Sequence, residues 1–373
     1  MNTGLRDLSF YALAIDPATP GTIYTGSYYG VFKSGNSGDS WTPMNTGLTN
    51  LAGTALVIDP DDSRTLYVGT DNDGVYQSND GGSSWSAVNT GLSGNPFSVT
   101  ALALDPATPS TLYAGMLFDG VFQSTDSGDS WSAVNTGLNP YVNALAIDPA
   151  TPSTVYAGTS GGVFQSTDSG SSWRAVNSGL GEPPLAVTAL CVDLTTPSTV
   201  YAGTSDSGVY KSTNSGGGWS AINAGLSNLF IRALAIDPTT TSTLYAGTFD
   251  GGVYKSADSG GRWNVLNTGL SSPYISALAV DPTPPGTLYA AAGDGVYALQ
   301  QLAFCGGDCN MDGQVIVDEL LAMVNIALGN ADIATCAAGD AIHDNQITID
   351  EIIAAVQHAT DGCAGTAGLP TLS

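Results

Sequence analysis

Twelve residues near the C-terminus carry the most specific chemistry in this chain. Counting Asp308 as position 1, side-chain oxygens fall at positions 1, 3 and 5 (Asp308, Asn310, Asp312), glycine at 6 (Gly313) and glutamate at 12 (Glu319). Gln314, at position 7, adds a main-chain carbonyl. A hard divalent cation gathers about six to eight oxygens, and this spacing supplies them, with the glycine making the sharp turn. The expectation is Ca2+ binding. A second copy puts Asp340, Asp344, Gln346 and Glu351 in matching places, but Ile342 at position 3 cannot ligate. That loop is expected to be a degraded, weak site. Cys305, Cys309, Cys336 and Cys363 bracket the two loops. They predict two disulfides and an oxidising compartment, with three connectivities open. Cys191 stands apart and reads as a small buried hydrophobe.

Two helices position the loops. Leu320, Leu321, Val324, Ala327 and Leu328 recur at helical spacing after the first loop, and Ile352 to His358 reads as a helix after the second. The rest of the chain is one unit repeated. SGNSGDSW ends at Trp41, SNDGGSSW at Trp85, STDSGDSW at Trp131, STDSGSSW at Trp173, STNSGGGW at Trp219 and SADSGGRW at Trp263. The tryptophans are 42 to 46 residues apart, a period that signals propeller blades or stacked arrays. Each copy reads as a hairpin turn between short strands. In the third repeat the strands are 100–104, 111–115, 120–124 and 131–134. An Asp marker ends the first strand of every repeat, at Asp16, Asp59, Asp105, Asp148, Asp193, Asp237 and Asp281, and is followed by proline in all but Asp193. Proline cannot donate to a ladder and stops the strand.

The markers count seven repeats against six hairpins, and the last repeat has three strands. Met1-Asn2-Thr3-Gly4-Leu5 matches the end of a repeat, Val134-Asn135-Thr136-Gly137-Leu138. Residues 1–5 are therefore expected to supply the missing fourth strand and close a seven-bladed ring, which leaves no open sheet edge. The alternative is an eight-bladed ring whose first residues precede Met1. The expected domains are an all-β seven-bladed propeller over 1–300, a small α-helical loop–helix module over 304–364, and a disordered tail over 365–373.

Formal charge is −25 with 8 Lys and Arg. That excludes nucleic acid and anionic membrane surfaces, which need clustered cations. No apolar run approaches a membrane span. No signal peptide opens the sequence, yet the cysteines point to a secreted or cell-surface protein.

The loops opposite the Asp-Pro turns vary most, and they should ring one mouth of a central channel. Tyr28, Tyr29, Phe118, Tyr141, Phe230 and Tyr274 lie there. Asp73, Asp119, Asp250, Asp294 and Arg232 accompany them. Together they form a candidate site for a polar ligand such as a glycan; the other use of such rings is packing between blades. Asp73 and Asp119 are the candidate catalytic pair, because glycosidases use two carboxylates about 5 to 9.5 Å apart. Glu182 is the one propeller glutamate, and no histidine lies in the propeller.

The pattern S-x-D-x-G-x-x-W resembles the Asp-box, or BNR, repeat of sialidases, xyloglucanase-type glycoside hydrolases, sortilin-type receptors and photosystem II assembly-factor propellers. That resemblance covers about four fifths of the chain. It implies a propeller whose Asp-boxes are structural turns away from the active face. A sialidase-like site would need an arginine cluster. Only Arg6 and Arg232 are placed for the mouth, and Arg174 and Arg262 belong to Asp-box turns. The C-terminal pair of EF-hand loops resembles a dockerin, which implies a cohesin-like or other protein partner. Val317-Asp318 and Ile349-Asp350 stand where that family usually carries Ser or Thr. The readings that follow are an extracellular, non-catalytic binding propeller tethered by a Ca2+ module, a glycoside hydrolase acting on polysaccharide, or a structural or adhesive repeat protein.

Overall fold

The computed structural model describes residues 2–5, 9–93, 97–181, 183–283, 286–300, 307–309, 315–336, 339–340 and 346–361. The chain divides into two compact units, residues up to 284 with Leu288–Leu299, and 285–287 with 300–373.

The first unit is a seven-bladed all-β propeller. Its innermost strands are Phe10–Ile15, Gly53–Ile58, Val99–Leu104, Val142–Ile147, Val187–Val192, Ile231–Ile236 and Ile275–Val280. Each touches the next, and the seventh touches the first. Blades 1 to 6 are four-stranded antiparallel meanders and blade 7 has three strands. In blade 3 the strands are Val99–Leu104, Leu112–Met116, Gly120–Ser124 and Ser132–Ala133, close to the sequence reading except that the fourth is two residues long.

The second strand of each blade is buried on both faces, because neighbouring blades cover it. Its glycine follows from that: a Cβ on Gly69 would lie 2.4 Å from Val99 Cγ1, and one on Gly203 2.5 Å from Ile231 Cγ2. The first β-branched residue of the next blade fills the space a side chain would take.

The Asp-box is a turn, as expected. Asp126 Oδ1 accepts the Ser130 N–H at 2.9 Å, and Ser124 Oγ accepts the Gly128 N–H at 2.8 Å. Ser127 and Gly128 take successive positive φ, 59° and 91°. Asn36 and Asn214 accept the same main-chain bonds, at 3.0 and 2.9 Å. The box also couples blades. The Trp131 indole N–H donates to Val88 O of the preceding blade at 2.7 Å, and the Trp131 main-chain N–H donates to Thr90 O at 2.8 Å. Burying such a ring is worth roughly 3–5 kcal/mol on truncation to alanine.

Residues 2–5 close the ring, though not as the expected fourth strand, which is not formed among the described residues. Asn2 Oδ1 accepts the Val296 N–H at 2.9 Å, the bond that Asn135 makes to Val121 within blade 3. Thr3 O accepts the Trp41 N–H at 2.8 Å, and Leu5 is buried with Tyr289 and Val296.

The second unit holds α1 (Val317–Ala327), a 3-10 turn (Ile333–Thr335) and α2 (Ile349–Asp361). Val315, Met323, Cys336, Ile347 and Ala355 form its core. Cys309 and Cys336 are joined by a disulfide; Cys305 and Cys363 lie outside the described residues. Helix α2 starts three residues before the sequence reading because Thr348 and Glu351 form a capping box, Thr348 N–H donating to Glu351 Oε2 at 2.8 Å and Glu351 N–H to Thr348 Oγ1 at 3.4 Å. Residues 365–373 lie outside the described residues.

Candidate functional site

One repeated contact builds the channel mouth. The residue after each second strand hydrogen-bonds the residue ahead of the innermost strand. Phe249 N–H donates to Phe230 O at 3.0 Å, Ser160 to Tyr141 at 3.1 Å, Gly293 to Tyr274 at 3.0 Å and Tyr28 to Ser9 at 2.9 Å. Loop side chains are thereby set beside those that enter the channel. Phe230 and Phe249 stack at 5.1 Å and 11°, and Tyr274 meets Phe249 edge-on at 5.4 Å. Phe118 meets Tyr141 at 5.7 Å, and Tyr28 meets Tyr29 at 5.2 Å. Phe118 with Tyr141 and Phe249 with Tyr274 meet across neighbouring blades, yet Tyr28, Tyr29, Phe118, Tyr141 and Phe249 are 45–57% exposed and keep a solvent-open face.

A second repeated feature decides which part of the mouth is special. The register of every innermost strand shifts around its second residue. In blades 2 to 5 that residue ties down the next blade: Thr54 to Val99 O, Thr100 to Val142 O at 2.7 Å, Asn143 to Val187 O at 2.9 Å, and Thr188 to Ile231 O. Blades 6, 7 and 1 carry Arg232, Ser276 and Tyr11 there. Ser276 turns back to Ala291 O of its own blade. Arg232 makes no tie. Its guanidinium lies 5.1 Å from the Tyr274 ring centroid and 6.0 Å from that of Phe230, and its Nε is buried without a hydrogen-bond partner. Burial pushes the Tyr11 hydroxyl above its ordinary range, with Tyr274, Asp71 and Tyr28 adding to the rise and Arg232 opposing it. Those five groups therefore share one electrostatic neighbourhood. Tyr11, Asp71 and Phe249 stand on the mouth loops of the sequence reading and outside its list of candidate site residues. A signal existed, since position two of the innermost strand departs from Thr or Asn in three consecutive blades.

The predicted aspartates divide. Asp73 Oδ2 accepts hydrogen bonds from Thr49 Oγ1 and Tyr76 OH. Asp294 Oδ2 accepts one from Ser271 Oγ. Both are occupied in loop ties. Asp119 and Asp250 make no side-chain hydrogen bond among the described residues. Arg6 and Glu182 lie outside the described residues.

In the C-terminal unit, the carboxylates at positions 1 and 12 of both loops are buried: Asp308 and Glu319 at 5% exposure, Asp340 and Glu351 at 7%. Buried carboxylates with hard oxygen chemistry fit a Ca2+ site. Glu319 Oε2 also accepts the Ile316 N–H at 2.9 Å, which orients it. Asn310, Asp312, Gln314 and Asp344 lie outside the described residues, and among the described residues no cluster of three or more metal-binding side chains occurs. Both helices expose an apolar stripe in equivalent positions: Val317, Leu321 and Val324 on α1, and Ile349, Ile353 and Val356 on α2.

Among solved structures, the GH74 xyloglucanase from Xanthomonas campestris matches with a TM-score of 0.65 at 19% identity, over 80% of this chain and 53% of its own. The extracellular domain of the one-component system BT4673 from B. thetaiotaomicron gives 0.66 at 21%, over 81% and 39%. YCF48, solved bound to D1 peptide, gives 0.60 at 14%, over 79% and 94%. What they share with this chain is the propeller fold. This chain spans about half the length of the xyloglucanase it matches. No protein-family model and no curated protein matches the sequence. No helix among the described residues is long and apolar enough to cross a membrane.

Proposed function

We propose that this is an extracellular, non-catalytic binding propeller that holds a glycan at the mouth formed by blades 6, 7 and 1. A Ca2+-stabilised dockerin-like unit tethers it to a protein partner of the cohesin kind. The observation that carries the reading is Arg232. A cation with a buried, unpartnered Nε lies against the half-buried Tyr274 and Phe230 rings, with the exposed Phe249 beside them, in a chain of charge −25. A fixed guanidinium beside apolar ring faces suits a ligand with a flat apolar face and an anionic or strongly accepting group. Three observations support the tether: the buried carboxylates at the loop ends, the matched apolar stripes, and the Cys309–Cys336 disulfide, which suits an oxidising compartment.

The test is a glycan array followed by calorimetry. Binding that Arg232→Ala and Phe249→Ala each abolish, with no sugar released, supports the reading; binding indifferent to both overturns it. The hydrolase reading draws on the GH74 neighbours. Turnover lost in Asp119→Ala would establish it, whereas Asp73 is held by Thr49 and Tyr76. A flat array points to a structural or adhesive role.

A further inference from the structure

Two blade boundaries carry the same aromatic pair at the mouth. Among the residues just ahead of the seven innermost strands, only Tyr141 and Tyr274 are tyrosines, and each follows a proline. In the blade before each, the loop after the second strand reads Phe-Asp-Gly: Phe118-Asp119-Gly120 in blade 3 and Phe249-Asp250-Gly251 in blade 6. The tripeptide occurs nowhere else in the sequence. The proline carbonyl holds each loop, Gly120 N–H donating to Pro140 O at 3.0 Å and Gly252 N–H to Pro273 O at 2.9 Å. Phe118 then meets Tyr141 at 5.7 Å and 81°, and Phe249 meets Tyr274 at 5.4 Å and 79°. Repetition of the blade alone does not give this match, because Phe118 stands two residues past its strand and Phe249 one. Two loops in different register present one arrangement.

The copies differ in charge. At the blade 6–7 boundary Arg232 lies 5.1 Å from the Tyr274 ring centroid. The matching residue of blade 3 is Thr100, whose hydroxyl is taken up by Gly115 O at 3.0 Å and Val142 O at 2.7 Å. Phe118 and Tyr141 are 50% and 46% exposed. Between them in sequence and space stands Asp119, half-buried and with no side-chain hydrogen bond among the described residues. Open ring faces beside a carboxylate acceptor suit a sugar, whose C–H face covers a ring while its hydroxyls donate to the carboxylate. A carboxylate with no cation beside it disfavours an acidic sugar.

We propose that Phe118, Asp119 and Tyr141 form a second subsite, for an uncharged sugar, and that the ligand of the mouth is a polysaccharide chain long enough to reach both copies. This rests on the reading of the Arg232 mouth as a glycan site and extends it across the ring. The two boundaries are three blade steps apart in a ring of seven. With sheets packed about 10 Å apart, they stand on the order of 20 Å from each other, beyond the reach of a disaccharide. A chain that engages both gains affinity because its second contact is intramolecular.

The experiment runs the full chain through gels containing a soluble β-glucan, xyloglucan, xylan, galactomannan or rhamnogalacturonan. Calorimetry follows, with disaccharide to octasaccharide fragments of each polymer that retards it. Affinity should rise with fragment length by about tenfold or more. Phe118→Ala and Tyr141→Ala should each remove that rise and leave the disaccharide, held at the Arg232 copy, bound as before. Asp119→Asn keeps the side-chain shape and should weaken the octasaccharide about fivefold. As surface changes, the three should move Tm by no more than about 1 °C. Equal affinity for disaccharide and octasaccharide overturns the second subsite and leaves the reading of the mouth standing. So does an octasaccharide indifferent to Phe118→Ala and Tyr141→Ala. Retardation by none of the polymers overturns both.

Discussion

The ring is closed by a clasp of four residues, and Asn2 is its key contact. It occupies the left-handed region, φ 67°, and its Oδ1 accepts the N–H of Val296, a residue only 1% exposed. Asn2→Gly keeps the backbone conformation and removes the acceptor. A buried N–H left without a partner costs about 1–3 kcal/mol. At about 2 °C per kcal/mol for a domain of this size, Tm should fall by about 2–6 °C. Asn2→Ala adds the penalty of a Cβ in the left-handed region, about 1–2 kcal/mol, and should fall by about 2–4 °C more. Hydrogen exchange locates the effect. Asn2→Gly should expose amides of Gly295–Gln300, whereas Asn135→Gly, which loses the bond to Val121 at 2.6 Å, should act within blade 3. An Asn2→Gly protein with unchanged Tm, or with exchange altered elsewhere than blade 7, would refute closure through this bond.

Other outcomes follow from single contacts. Gly69→Ala places a Cβ 2.4 Å from Val99 Cγ1 and should destabilise by about 1–3 kcal/mol, with Val99→Ala in the same chain restoring part of the loss, as urea titration would show. Hydrogen bonds from Ser84, led by its side chain, hold the Asp80 carboxyl down to about 2, and Ser130 and Ser172 lower Asp126 and Asp168 likewise. With folded pKa values below unfolded ones, this stabilisation is complete above about pH 4 and is lost as pH falls toward 2, so Tm should drop across that window and drop less in Asp126→Asn. Chelating Ca2+ should lower the melting transition of the C-terminal unit. Glu319→Gln, which keeps an acceptor for the Ile316 N–H, should remove that Ca2+ response.

Blade number was legible because Asp-Pro turns and tryptophans recur as identical local chemistry, and local chemistry is what a sequence records. What stayed hidden is chemistry between blades. Nothing in STDSGDSW says that the Trp131 indole donates to Val88 O, 43 residues earlier. The shift at the second residue of each innermost strand, the position of Tyr11 and Arg232, leaves no mark in the alternation of the sequence. Asp73 looked like a catalytic candidate because its position in a variable loop was visible, whereas its bonds to Thr49 and Tyr76 were not. The capping box of α2 is legible in Thr348-x-x-Glu351, where one glutamate serves both as a cap and as position 12 of the loop.

A repeat protein owes its stability to interfaces between neighbours, so a residue that gives up such an interface is there for something else. Arg232 meets that criterion. In blade 5 the equivalent Thr188 bonds both Gly203 O of its own blade, at 3.1 Å, and Ile231 O of the next. Arg232 bonds neither counterpart and leaves Nε buried without a partner. Arg232→Thr should restore the tie to Ile275 O and remove the stranded donor. One neutral hydrogen bond contributes about 0.5–1.5 kcal/mol and relief of an unsatisfied group about 1–3 kcal/mol, so Tm should rise by about 3–9 °C. The same substitution should abolish ligand binding at the mouth. Stability gained as function is lost is the mark of a residue kept for binding. A lower Tm in Arg232→Thr would show instead that the arginine supports the fold through its contacts with Tyr274 and Phe230, and the case for a ligand at that mouth would fail with it.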